Sequence, residues 1–177
     1  VSSLLFNARF MTVTGLAAIP AKMLLTGMCF YLVPLYLLSI GSTPTVAGRV
    51  LMVYGVVMVV MMPLSAMVAS TRQRMEQLVA GGLTLSGVGG LMLWVGEGQL
   101  YIYLAVLLVA LGQSLSIAAQ SALVREHCED EVRVMGEPAV YGVYRLLERM
   151  GNTMGPIAAA LLVHSVGYRK SFVYAGL

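Results

Sequence analysis

The chain has 177 residues, of which 59% are hydrophobic and 11% charged, with a formal net charge of +3 and a mean hydropathy of +0.85. A soluble domain carries about 25% charged residues, and a water-facing surface of this size cannot be built from so few ionised groups. These totals exclude a soluble globular protein and, with no basic cluster, nucleic acid as a partner; they indicate an all-α, polytopic transmembrane helical bundle set in a lipid bilayer.

Crossing the hydrocarbon core takes about 20 apolar residues, and Gly, Pro and polar clusters mark the turns. The stretch from Val1 to Phe10 lacks the basic region, apolar core and cleavage site of a signal peptide. The first span is expected over residues 10–40, interrupted by Pro20 and Pro34, and its length implies tilt or kinking. After the turn Gly41 to Thr45, a second span covers residues 46–69 and ends at the polar loop Ser70 to Glu76, which carries Arg72 and Arg74. A third covers residues 77–95 and a fourth residues 100–124, separated by Gly96 to Gln99. The one long polar connection, Arg125 to Pro138, leads to a fifth span over residues 140–163. Beyond His164 to Ser171, residues 172–177 read as the truncated start of a sixth. With no Met at its start and an apolar run at its end, the sequence reads as a piece of a longer protein. Cys29 falls within a span and Cys128 in the acidic connection, which argues against a disulfide between them and against a metal site. No cofactor is expected.

Basic residues near span ends set orientation. Arg9, Arg72, Arg74, Arg125, Arg133, Arg145 and Arg149 gather on one side, against Arg49, Arg169 and Lys170 on the other. The first side is expected to be cytoplasmic, with the N-terminus.

Polar residues inside the spans are the functional candidates, because charge in a membrane is costly and usually kept for a pathway or a partner. On the fifth span Tyr141, Arg145, Glu148, Asn152 and Gly155 fall on one helical stripe. Arg145 and Glu148, three apart, can pair. They read either as a cavity wall, where Glu148 exchanges a proton and Arg145 meets an anionic substrate group, or as anchors in the headgroup region. Lys22 lies about 18 Å along the first span at 1.5 Å per residue, with Thr26, Cys29 and Tyr36 following on its face. A lysine at that depth finds a carboxylate or gives up its charge; a helix starting at Pro20 would instead place it in the interface. Gln113, Ser116 and Gln120 make a third stripe on the fourth span, open to a pathway role or to hydrogen bonding between helices. The third span, with little beyond Thr84 and Ser86, suits a peripheral helix facing lipid, and its glycines suit close packing on one side.

The fifth span resembles the antiporter signature of the major facilitator superfamily: Gly142, Gly151, Gly155 and Pro156 match its spacing, with Ala159 and Ala160 replacing the final glycine pair. The segment Pro63 to Arg74 is similar to the family's loop motif at Met67 and Arg74, with Ser65 and Ala69 replacing its glycine and aspartate. Tyr31 to Leu37, Gly48-Arg49 and Pro63 resemble the start of a second half in drug-efflux members. The resemblance implies the C-terminal six-helix half of a transporter working by alternating access. It would face a missing N-terminal half of the same protein, which completes the site for a small-molecule substrate.

The function expected is therefore secondary transport, with proton-coupled efflux as one form and the bacterial inner membrane as the setting. Its pathway candidates are Lys22, Thr26, Tyr36, Gln113, Ser116, Gln120, Arg145, Glu148 and Asn152. The alternative is a transporter-like module that senses a ligand or anchors a signalling domain. No Ser/His/Asp arrangement, HExxH or phosphate-cradling loop is present, so an enzyme is not expected.

Overall fold

Two prolines shape the first helix of the computed structural model, which describes residue 4 and residues 6–176. Helix α1 (Ala8–Ser39) widens into π-helical turns over Thr14–Ala18 and again over Leu25–Leu32. Each wide segment lies just before a proline, Pro20 and Pro34. A proline has no N–H to donate and its ring crowds the carbonyl four residues back. Those carbonyls belong to Leu16 and Phe30, both inside the wide turns, where i→i+5 bonding relaxes the clash. The helix therefore continues past both prolines.

Six further helices follow among the described residues, with no strand: α2 (Pro44–Val68), α3 (Arg72–Val95), α4 (Gln99–His127), α5 (Glu129–Met135), α6 (Glu137–Val166) and α7 (Tyr168–Gly176). Gly41, Gly98, Gly136 and Gly167 sit at the breaks between helices with φ near +79 to +102°, a backbone region that glycine enters without a Cβ clash. Helices α1 to α4 are each long and apolar enough to cross a membrane. Helix α6 is 30 residues long, but Arg145, Glu148, Arg149 and the polar run after them keep it out of that set.

Several boundaries differ from the sequence reading. Arg72 and Arg74 belong to the first turn of α3 rather than to a loop, because the Thr71 hydroxyl accepts a bond from the Arg74 N–H and starts the helix early. The connection 125–138 is mostly helical. Glu129, Asp130 and Glu131 fill the first turn of α5 and Arg133 its last, each matching the sign of the helix dipole at its end. Cys128 is buried at the α4–α5 junction instead of lying in a solvated loop. Burial, then the nearby Glu131 carboxylate, pushes its thiol up to about 11, so it stays protonated and unreactive at neutral pH. Helix α7 begins at Tyr168, four residues before the expected start.

At the same end of the bundle Asn7 ties three elements. Its side-chain oxygen accepts from the Arg9 and Phe10 N–H groups, at 3.0 and 3.2 Å, and caps α1. Its amide nitrogen donates to Glu131 Oε1 of α5 at 2.8 Å and to the His127 carbonyl at the end of α4 at 3.4 Å. Asn7→Ala is expected to cost about 1–2 kcal/mol, read as a lower Tm and faster amide exchange at Phe10.

Helix α4 forms the centre, with 61% of its most apolar stretch buried against 17% for α2. It packs on α3 through backbone-close contacts: a Cβ on Gly89 would lie 2.9 Å from the Ala105 carbonyl oxygen, and one on Gly82 would lie 2.8 Å from Ser116 Cβ. Helix α3 also meets α7, where a Cβ on Gly90 would stand 2.6 Å from Gly176 Cα. So α3 is held on two sides, and α2 is the outlying helix. Its Met52, Val56, Val59 and Val60 project outward, an apolar face that costs least against lipid.

Candidate functional site

Helices α1 and α6 touch backbone to backbone. A Cβ on Gly27 would come within 2.7 Å of the Gly155 carbonyl oxygen, and one on Gly151 within 2.6 Å of the Ile19 oxygen. A Cβ on Gly155 would collide with the Thr26 hydroxyl and lie 2.6 Å from the Met23 oxygen. Small residues at this spacing allow the close crossing. Of the signature positions, Gly151 and Gly155 make the seam, Pro156 follows half-buried, and Gly142 faces open space.

The crossing brings an ionic cluster together. Arg145 Nη1 donates to Glu148 Oε2 at 2.7 Å, and Lys22 Nζ lies 3.6 Å from Glu148 Oε1. The Glu148 side chain is 3% exposed, Lys22 14% and Arg145 54%. Lys22 has found a carboxylate, and the carboxylate is held from two helices. Because Arg145 shares α6 with Glu148, it moves with it; Lys22, on α1, does not. The Lys22–Glu148 contact thus registers any shift of α1 against α6. Glu148 lies about 16 Å along α6 at 1.5 Å per residue, because α6 begins at Glu137 rather than at Val140.

Tyr144, absent from the sequence candidates, stands at the heart of this cluster. Fully buried, its hydroxyl is 3.5 Å from both Glu148 Oε1 and Gln120 Oε1. One O–H serves one acceptor at a time, and 3.5 Å is long for such a bond, so the hydroxyl sits between two acceptors and closes on neither. Arg145 also lies 5.8 Å from the centre of the Tyr144 ring. Gln120 in turn donates to Ser116 Oγ at 3.1 Å, which extends the chain of polar groups onto α4.

The remaining candidates are placed apart. Gln113 is buried and donates to the Ala21 carbonyl at 2.9 Å, one residue before Lys22, while its side-chain oxygen has no partner among the described residues. Thr26 donates to the Lys22 carbonyl at 2.8 Å and lines the glycine seam. Asn152 is half-buried, and its side chain makes no hydrogen bond among the described residues. Tyr36 lies about 21 Å from Lys22 along the helix, in an edge-to-face pair with Phe172 at 5.8 Å; it belongs to the apolar core. Arg72 pairs with Glu76 at 3.0 Å on the surface. The buried stripe of α6 is Val140, Tyr144, Glu148, Gly151, Gly155 and Ala159, so the helix is turned from the expected stripe: Arg145 goes to its edge, and Tyr141 donates to the Ser121 carbonyl.

Among the described residues no three His, Cys, Asp or Glu side chains stand together as a metal site. No family model, curated protein or solved structure matches the chain.

Proposed function

We propose that this chain is one half of a secondary transporter with the fold of a major facilitator superfamily half, in which the Lys22–Glu148–Arg145 cluster lies on the transport pathway. The observation that carries the reading is this cluster itself, a carboxylate with two cations held between α1 and α6 in an otherwise apolar bundle. Ionisable groups so placed are costly and mark pathways or proton relays.

The packing pattern adds support. Let α1, α2 and α3 correspond to α4, α6 and α7. The α1–α6 contact then maps onto α4–α2, α3–α4 onto α7–α1, and α3–α7 onto itself; all of these contacts exist. The match is partial: α6–α7 has no counterpart of comparable extent between α2 and α3, nor α1–α2 between α4 and α6, and α7–α1 is far slighter than α3–α4. On this reading α6 and the start of a sixth span in α7 complete two groups of three that run in opposite senses, as in the inverted repeat of many transporters. On this reading α6 spans the membrane with the Asn7 end in the cytoplasm of a bacterial cell, and a second half of the protein closes the site.

The chemistry follows from charge. Glu148 accepts or releases a proton, Lys22 holds it in one arrangement of α1 and α6 and releases it in the other, and Tyr144 offers a hydrogen bond to either acceptor. In cells expressing the complete protein, Lys22→Ala is expected to reduce energy-dependent efflux of ethidium or related lipophilic dyes to the level of empty cells. Efflux at the wild-type rate would return Lys22 to a structural role. A complete protein that moves no dye or solute would favour the sensing module instead.

A further inference from the structure

The far end of the bundle from Asn7 carries a second feature. Arg169, in the first turn of α7, spends its guanidinium on α3: it donates to the Leu93 carbonyl at 2.8 Å and the Trp94 carbonyl at 3.3 Å, and pairs with Glu97 at 2.7 Å. It thereby satisfies carbonyls that the end of α3 leaves open. The next residue, Lys170, is exposed and has no ion pair among the described residues. Between α3 and α7 lies a cavity of about 540 Å³ lined by Trp94, Arg169, Lys170, Val173 and Tyr174. Trp94 is 71% exposed and Tyr174 54%, so both rings present faces to whatever occupies it.

The lining is graded. Arg169 and Lys170 stand at the helix ends beside the turns Gly96–Gly98 and Gly167. Val173 and Tyr174 lie one turn further in, about 5–6 Å deeper. A cation at the mouth with an apolar and aromatic wall below it matches a molecule with a phosphate on top and hydrocarbon beneath. Trp and Tyr favour the same headgroup level. We propose that this α3–α7 cavity binds an anionic phospholipid, with the phosphate at Lys170 and the glycerol and upper acyl chain against Trp94, Val173 and Tyr174. Arg169, already neutralised by Glu97, frames the site, and Lys170 supplies the charge that discriminates.

The inference needs the chain to lie in a bilayer but not that it transports. Trp94 is the single tryptophan of the chain, so its fluorescence reports this site alone once any tryptophan outside these residues is replaced by phenylalanine. The protein is reconstituted in phosphatidylcholine vesicles into which acyl-brominated phosphatidylglycerol or acyl-brominated phosphatidylcholine is titrated. Brominated phosphatidylglycerol is expected to quench Trp94 with about fivefold higher relative affinity, the value of one lysine at an anionic surface. Lys170→Gln is expected to abolish the preference while helical circular dichroism stays unchanged. Equal quenching by the two lipids, or a preference that survives Lys170→Gln, overturns the site. A preference removed by added glycerol phosphate reassigns it to a soluble phosphate and also overturns the lipid proposal. No quenching by either lipid would remove the membrane placement itself.

Discussion

Glu148→Gln is expected to lower stability by about 3–5 kcal/mol, the usual consequence of taking one partner from a buried ion pair. Gln keeps the shape and can still accept from Arg145 and Tyr144, so the loss comes from the charge. The two cations do not share it equally. Arg145 makes the shorter contact, 2.7 Å against 3.6 Å, but its side chain is 54% exposed against 14% for Lys22. Water solvates Arg145 when its partner goes, and half-exposed pairs contribute little, about 0–1 kcal/mol. Lys22 is left as an unpaired ion between packed helices. The double variant Lys22→Met/Glu148→Gln should therefore recover most of the loss, whereas Arg145→Met/Glu148→Gln should recover little. Unfolding by SDS in mixed micelles measures all of these. A Glu148→Gln protein within about 0.5 kcal/mol of wild type would show that the carboxylate is not held as described, and the pathway reading would lose its centre.

Much of the scaffold could be read from the residues because membranes impose one strong rule, long apolar runs broken by Gly, Pro and charge. The breaks at Gly41, Gly98 and Gly167 follow from that rule; the persistence of α1 past Pro20 and Pro34 does not, and rests on the wide turns ahead of each proline. The Arg145–Glu148 pair followed from a spacing of three. What escaped was orientation around a helix axis. In α6 apolar and small residues occur on every side, so spacing alone does not separate the stripe through Arg145 from one through Tyr144. Only contact with Ile19, Met23 and Gly27 across the seam selects the latter. Tyr144, four residues before Glu148, was accessible to the same spacing argument, but a tyrosine in a membrane helix is unremarkable until its hydroxyl is seen between two acceptors. Helix α5 escaped for another reason. Its Glu129–Asp130–Glu131 run looks like a solvated loop, and the helix it opens is only seven residues long, too short for periodicity to register. The Lys22–Glu148 contact joins residues 126 positions apart, and no local pattern carries that.

Gly155→Val is expected to have the largest effect of any single substitution on the α1–α6 seam. A side chain there has no room to turn aside, because its neighbours are the Met23 carbonyl at 2.6 Å and the Gly27 nitrogen at 2.9 Å, backbone atoms that move only if α1 moves. Overpacking a core costs about 1–3 kcal/mol when side chains can yield; against backbone the helices must part by an ångström or more, and the cost should exceed that range. Separation would also stretch the Lys22–Glu148 contact, since Gly151 and Gly155 lie within two turns of Glu148 on the same face. Gly155→Val should thus lose the folded protein's heat resistance and, on the proposed transport reading, the efflux activity of any protein that survives. Gly142→Ala is the control on the same helix: nothing lies within 4 Å of its Cβ, and alanine's helix preference should make it neutral or more stable by up to about 1 kcal/mol. If the two variants melted alike, the glycines would mark sequence resemblance without a packed crossing. The distance between Lys22 and Glu148 would then have nothing to fix it. If they diverge as expected, the small residues and the buried charges form a single device, in which close backbone approach holds a lysine on one helix near a carboxylate on another.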